Sequence, residues 1–189
     1  ILCRTNARLG ALSAALNDQG IPARFVRPGL LDTPEAKLAL ACLRCLTDPS
    51  DVLAAAEIHT LSTCKSPEHW LPGRLEYLSK EDSNFRDWND DETGIFEALN
   101  KAKNRIDFLT PVETLRLAMA TAKVYNTVIQ WGPSQEHAKL RLANLNRLVE
   151  IAEDYVAECE LESEPATVAG LIFYFDGING EKLDTQAAT

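Results

Sequence analysis

The chain has 189 residues, of which 46% are hydrophobic, enough for one medium domain or two small ones with a real core. Its 19 lysines and arginines against 28 aspartates and glutamates leave a formal net charge of −9. Phosphate binding depends on basic side chains, so this balance argues against tight DNA binding by the isolated chain. No apolar stretch approaches the roughly 20 residues that a membrane span needs, and we expect no membrane partner.

Strand and helix patterns alternate in the first sixty residues. The predicted order is a strand over 1–4, a helix over 7–17, a strand over 23–26, and helices over 34–46 and 51–59. Thr33-Pro34 marks a helix start, because proline at the first helical position loses only an N–H that has no partner there. This order is typical of a parallel sheet with crossover helices. The helix over 34–46 is apolar nearly all round, so we expect it to be well buried.

From residue 61 onward the sequence predicts helices and loops. The stretch 62–72, which holds two prolines, and the acidic stretch 81–92 are predicted to be loops. Thr110 and Glu113 have the spacing of a capping box, and Ser134 suits the start of a long helix. Helices are predicted over 94–105, 110–127, 134–159 and 166–175. The apolar stripe of the long helix has spacings of three and four residues: Leu145, Leu148, Ala152, Tyr155 and Cys159.

Five cysteines without the spacing of a disulfide framework favour a reducing, cytoplasmic setting. Cys42 and Cys45, followed by Cys64 and His69, have the spacing of a zinc ribbon. The first two fall in the apolar helix over 34–46, where small thiols are ordinary core residues. We therefore predict that Cys42 and Cys45 are buried and that the chain holds no metal site.

Several short segments stand in an order that one known family shares. They are Ile1-Leu2-Cys3-Arg4-Thr5-Asn6-Ala7, Gly20-Ile21-Pro22-Ala23-Arg24, Pro34-Glu35-Ala36-Lys37, Leu43-Arg44-Cys45-Leu46 with Asp48-Pro49, and Arg141-Leu142-Ala143-Asn144-Leu145. In order and spacing they resemble motifs of the UvrD/Rep/PcrA-like superfamily 1 DNA helicases. Trp131-Gly132, just before the last segment, resembles the RecB/AddA branch of that family.

The resemblance implies a RecA-like domain, called 2A, that is interrupted by a helical insertion, called 2B. It assigns residues 1–60 to a partial RecA-like 2A domain, 61–178 to the helical 2B accessory domain and 179–189 to the return towards 2A. The chain would then stop where the family has a strand carrying T-x-H-x-[AS]-K-G-L-E. The predicted fold class is accordingly an α/β fragment, a partial parallel sheet, joined to a mainly α-helical inserted domain, with helix dominating overall.

The same resemblance implies a function. The chain would be the accessory and partial motor region of an ATP-dependent 3′–5′ DNA helicase that acts in DNA unwinding, repair or recombination. The sequence has no G-x-x-x-x-G-K-[ST] phosphate loop, so we expect the chain itself to be inactive, with ATP and Mg²⁺ bound elsewhere in the parent protein. The implied partners are single-stranded or duplex DNA and helicase–nuclease subunits. The alternative is a helical protein-interaction module of a helicase–nuclease complex with no direct DNA role.

The predicted DNA contacts lie at the ends of the two strands. Arg4, Thr5 and Asn6 stand at the end of a predicted parallel strand, where open sheets bind ligands. By resemblance, Asn6 would approach a base or sugar of single-stranded DNA, and Arg4 would support that turn or face the DNA strand. The alternative is that Asn6 only caps the following helix and Arg4 makes a local ion pair. Arg24 and Arg27 would meet phosphates, or else remain solvated surface. No catalytic residue and no metal ligand is predicted.

The three tryptophans have two interpretations. Aromatic rings can stack on nucleic-acid bases, and they can also pack between helices. Packing is the favoured role for Trp131, whereas both roles stay open for Trp70 and Trp88.

Overall fold

The structure is a computed structural model that describes residues 29–84, 87–88 and 93–180. Two short 3-10 turns occur in these ranges, Leu30–Asp32 and Lys103–Phe108. The α-helices, in chain order, are α1 (Pro34–Thr47), α2 (Val52–Thr63), α3 (Pro67–Leu78), α4 (Ile95–Ala102), α5 (Pro111–Thr121), α6 (Val124–Gln130), α7 (Gln135–Glu162) and α8 (Val168–Gly180).

The α/β fold class predicted from the sequence is wrong. Over 29–84, 87–88 and 93–180 the secondary structure is helical, with no strand and no sheet. The predicted strands over 1–4 and 23–26, and the helix over 7–17, lie outside the described residues. The sheet was inferred from the alternating strand and helix patterns of the first sixty residues, and the helix over 34–46 was predicted only to be well buried. Such a helix can bury its surface against other helices as well as against a sheet, so its composition does not distinguish the two.

Helix α1 lies at the centre of the core. It packs against α2, α4, α5 and α7, and its residues Leu38, Leu43 and Leu46 are buried. The prediction of a well-buried helix is therefore confirmed. Cys42 and Cys45 are buried in it as well, which confirms that both are core residues. Helices from the predicted segments 1–60 and 61–178 share this one core.

The local start signals were predicted correctly. Thr33 accepts a hydrogen bond from the Ala36 N–H at the start of α1. Thr110 and Glu113 form both hydrogen bonds of a capping box at the start of α5. Ser134 caps α7. Of the stripe predicted for α7, the first four residues are buried and the fifth is half-buried: Leu145, Leu148, Ala152, Tyr155 and Cys159.

Two local predictions were wrong. The stretch 62–72 is not a loop, because α2 continues to Thr63 and α3 begins at Pro67. Pro67 occupies the first turn, where proline is tolerated, and Pro72 lies inside the helix.

The helix predicted over 110–127 is divided at Lys123, whose φ of 51° is left-handed and cannot continue a right-handed helix. Neither glycine nor proline marks that break in the sequence.

An ion pair joins the start of α2 to α1. The Asp51 carboxylate accepts hydrogen bonds from Arg44 Nε and the Ala54 N–H, both at 2.9 Å. Partial burial by itself would raise the pKa of Asp51, but these hydrogen bonds outweigh it and hold that pKa below its usual range. A carboxylate with a lowered folded pKa stabilises the fold above its unfolded pKa. That contribution is lost as the pH falls through the folded pKa.

We expect Asp51→Asn, which removes the charge and keeps a side chain able to cap α2, to be less stable than the wild type at pH 7. The difference should shrink progressively as the pH falls below the ordinary aspartate pKa and through the lower folded pKa of Asp51, where the folded carboxylate takes up a proton. Thermal unfolding followed by circular dichroism, in a series of buffers from pH 7 downward, measures it. Asp32→Asn, at the exposed Lys37–Asp32 pair, is the matched control. A difference that persists on acidification contradicts the prediction.

Candidate functional site

The predicted DNA-contact residues all lie outside the described residues: Arg4, Thr5, Asn6, Arg24 and Arg27. Their contacts with DNA stay a prediction. The predicted return towards 2A, over 179–189, likewise falls outside them from residue 181 onward. The described part of the chain nevertheless contains other segments that carry the family resemblance.

Two of those segments meet in the core. Asn144 Nδ2 in α7 donates a hydrogen bond of 2.7 Å to Glu35 Oε1 in the first turn of α1, across 109 residues of chain. Asn144 is 1% exposed and Glu35 is 4% exposed. Buried polar groups are costly unless they are hydrogen-bonded, so this contact fixes α7 against the start of α1. The position of Glu35 also suits a carboxylate, because the positive end of a helix dipole lies at its N-terminus.

Arg141, in the same segment as Asn144, and the nearby Trp131 make contacts with other parts of the fold. Arg141 Nη1 donates to the Val128 carbonyl at 3.2 Å, and its guanidinium lies 5.7 Å from the centroid of the Trp131 ring. The Trp131 Nε1–H donates to the Leu61 carbonyl at 3.1 Å. The predicted packing role of Trp131 is therefore confirmed, since its ring ties the end of α6 to α2.

Four aromatic side chains from separate segments form what we call the aromatic cluster: His59, Trp70, Trp88 and Phe96. The ring of Trp88 stacks on Phe96 with centroids 5.3 Å apart, and it lies 5.5 Å from His59 and 5.7 Å from Trp70. Trp70 and Trp88, for which two roles stayed open, therefore pack against each other. No spacing in the sequence indicates this cluster, because its members come from α2, α3, α4 and the segment between α3 and α4.

Helix α3 is held to the aromatic cluster by one face. The half-buried residues Trp70, Arg74 and Tyr77 lie on this face, and the Arg74 guanidinium is 4.4 Å from the centroid of the Trp88 ring. No residue of α3 is fully buried. The adjacent face carries three exposed leucines, Leu71, Leu75 and Leu78, which we call the leucine stripe.

A cavity of about 640 Å³ lies beside Trp88 and Phe96. Burial raises the pKa of Cys45 at its wall, so that thiol is not a thiolate near neutral pH. Lys103 is the single cation among the described residues that line the cavity. With one cation and no glycine-rich loop, this lining does not fit the phosphates of ATP.

The chain matches no protein-family model, no curated protein and no solved structure. Among the described side chains, no group of three or more His, Cys, Asp or Glu is placed to hold a metal ion. None of the described helices combines the length and the apolar character needed to cross a membrane.

Proposed function

We propose that this chain is the helical accessory region of an ATP-dependent 3′–5′ DNA helicase or helicase–nuclease. The Glu35–Asn144 hydrogen bond supports the proposal. It joins two of the described segments that resemble the family, Pro34-Glu35-Ala36-Lys37 and Arg141-Leu142-Ala143-Asn144-Leu145. The resemblance assigns the first segment to 2A and the second to 2B, and residues of both segments lie in one core.

In this role the described residues orient other parts of the helicase and carry no chemistry of their own. Helix α7 has 28 residues and is therefore about 42 Å long. It packs against α5, α6, α8 and α1. A displacement at one end of α7 would reach α1 through the Glu35–Asn144 contact. ATP and Mg²⁺ would be bound elsewhere in the parent protein.

Two further observations concern the DNA affinity of this region and its cellular compartment. The net charge of −9 supports a role in which this region adds little to DNA affinity, because counterion release needs basic side chains. The described cysteines are free thiols: Cys42, Cys45, Cys64 and Cys159. Free thiols are usual in a reducing compartment, so we place the proposed helicase in the cytoplasm.

The test uses the full-length gene product that contains this chain. We expect it to carry a G-x-x-x-x-G-K-[ST] loop and an H-x-[AS]-K-G-L-E strand on either side of the present residues, and to hydrolyse ATP faster with single-stranded DNA. Asn144→Ala should reduce duplex unwinding by about 2- to 30-fold, the range of typical coupling energies. DNA-stimulated ATPase should be retained, because the ATP site lies elsewhere.

The matched control for unwinding is Asn146→Ala, which removes an exposed asparagine from the same helix. Assays should be run well below the unfolding temperature of both variants. A gene product without a phosphate loop, or without DNA-stimulated ATPase, would refute the proposal. Equal unwinding by the two variants would refute the role of the Glu35–Asn144 contact.

A further inference from the structure

Helix α3 lies on the surface of the fold and is held by few contacts. Each of the other described α-helices packs closely against at least one more helix, whereas α3 has only sparse contacts with any of them. All its residues are exposed except the half-buried Trp70, Arg74 and Tyr77. The leucine stripe is exposed too, so its side chains bury little apolar area here. A small number of side chains therefore hold α3 in place.

Arg74 makes the best-defined of these contacts. Its guanidinium lies 4.4 Å from the centroid of the Trp88 ring, and it also donates a hydrogen bond to the Asp87 carbonyl. Trp88 in turn stacks on Phe96 of α4. A cation over an aromatic ring is attracted by the electron-rich face of that ring. Arg74 thus connects α3 to rings that are anchored in other helices.

One group of α3 opposes the packed position. The Trp70 Nε1–H is buried and has no hydrogen-bond acceptor among the described residues. The Trp70 ring meets the ring of His59 edge-on, with their centroids 5.2 Å apart. A buried donor without an acceptor lacks the hydrogen bond that water would give it in an open position. Packing of the Trp70 ring therefore holds α3 in place, while its N–H favours opening.

The chain can turn at both ends of α3. Cys64, between α2 and α3, has a φ of 55°, a left-handed conformation that ends a right-handed helix. After α3, residues 79–82 form exposed turns and bends. Within α3, Pro72 has no N–H to donate to the Glu68 carbonyl, so the helix has one internal hydrogen bond fewer. Helix α3 is therefore a separate segment that does not continue a neighbouring helix.

We propose that α3 is a lid over the aromatic cluster, held closed by the Arg74 guanidinium on Trp88, and that it opens as a unit while the core stays folded. Regions with few buried contacts open at a lower free energy than the whole protein unfolds. Opening replaces Arg74 on the Trp88 ring by water and hydrates the Trp70 N–H. It also uncovers the side of the His59 ring that packs against Trp70.

This role of α3 is independent of the helicase assignment, because it uses only α3 and the residues that hold it. The test is native-state hydrogen exchange of the intact chain at low denaturant concentrations, followed by mass spectrometry of peptides from α3 and α1. Helix α1 is the internal reference, because it lies at the centre of the core.

We expect the amides of α3 to exchange at least about ten times faster than those of α1. Their exchange should depend only weakly on denaturant, because opening of the lid exposes much less surface than global unfolding does. They should still exchange more slowly than the amides of an isolated peptide of residues 67–78, because the lid is closed for most of the time.

Arg74→Ala should speed exchange in α3 by about 5- to 30-fold and leave α1 unchanged. Alanine removes both contacts of the guanidinium without weakening the helix itself. Arg74→Lys, which keeps a cation, should give an intermediate rate. Leu75→Ala is the matched control, because Leu75 is the next residue of α3 and is 58% exposed. It should change exchange in α3 by no more than about twofold.

Four outcomes would overturn the proposal. Equal exchange in α3 and α1 would show that α3 opens only when the protein unfolds globally. Exchange at the rate of the isolated peptide would show that α3 has no closed position. Equal acceleration of both helices by Arg74→Ala would show that Arg74 holds the core as a whole. An effect of Leu75→Ala as large as that of Arg74→Ala would show that the contact with Trp88 does not hold the lid.

Discussion

Asn144→Ala should lower the free energy of unfolding by about 2–4 kcal/mol. The alanine removes the donor that lies 2.7 Å from Glu35 Oε1. Glu35 is 4% exposed, so little water can replace that donor. Breaking a buried polar contact by removing one partner leaves the other partner desolvated and less well bound, which is why the expected loss exceeds that for an ordinary surface hydrogen bond. Chemical denaturation followed by circular dichroism measures it.

Asn146→Ala is the control, because Asn146 is exposed two residues further along α7 and the two substitutions are identical. It should change stability by no more than about 0.5 kcal/mol, as surface substitutions usually do. A double-mutant cycle with Glu35→Ala then isolates the pair. Because the two side chains are in contact, we expect a coupling energy of about 0.5–3 kcal/mol. Additive effects of the two substitutions, or equal losses in the two asparagine variants, would contradict this account of the core.

Gly170→Ala should lower the free energy of unfolding by about 1–3 kcal/mol. A Cβ at this position in α8 would collide with the Tyr155 hydroxyl. That hydroxyl donates to the Thr167 carbonyl and accepts from the Thr167 N–H, each at 3.3 Å, so the ring cannot move without breaking both hydrogen bonds. The direction of this change in the free energy of unfolding is informative, because replacing glycine by alanine within a helix ordinarily stabilises the helix by about 1 kcal/mol.

Gly177→Ala provides the matched control in the same helix. A Cβ at Gly177 would meet no atom within 4 Å, so this variant should be as stable as the wild type or more stable. Tyr155→Phe, which removes the colliding hydroxyl, should recover part of the loss when combined with Gly170→Ala. The contact between Gly170 and Tyr155 is tested by thermal and chemical unfolding of Gly170→Ala, Gly177→Ala, Tyr155→Phe and the double variant that combines Gly170→Ala with Tyr155→Phe. If Gly170→Ala and Gly177→Ala behave alike, α8 does not pack against Tyr155 as described.

The local structure of several helices followed from the sequence. Thr33-Pro34, Thr110 with Glu113, and Ser134 each begin a helix at the predicted place. These signals work because a capping side chain binds backbone N–H groups within a few residues of itself, so the whole interaction is contained in a short segment. The burial of Cys42 and Cys45 also followed, because an apolar helix pattern reports which side chains avoid water.

The tertiary structure alone decided what those helices pack against. The apolar character of α1 was compatible with a sheet, but its neighbours over the described ranges are helices. The Glu35–Asn144 pair and the aromatic cluster each join segments that are far apart in the chain. No sequence pattern indicates that these segments are in contact. Lys123 interrupts a helix without glycine or proline. Helix capping depends on residues that are adjacent or nearly adjacent in the chain, so the sequence predicts it. Which element covers an apolar face depends on the shape and chemistry of the whole core, so only the tertiary structure decides it.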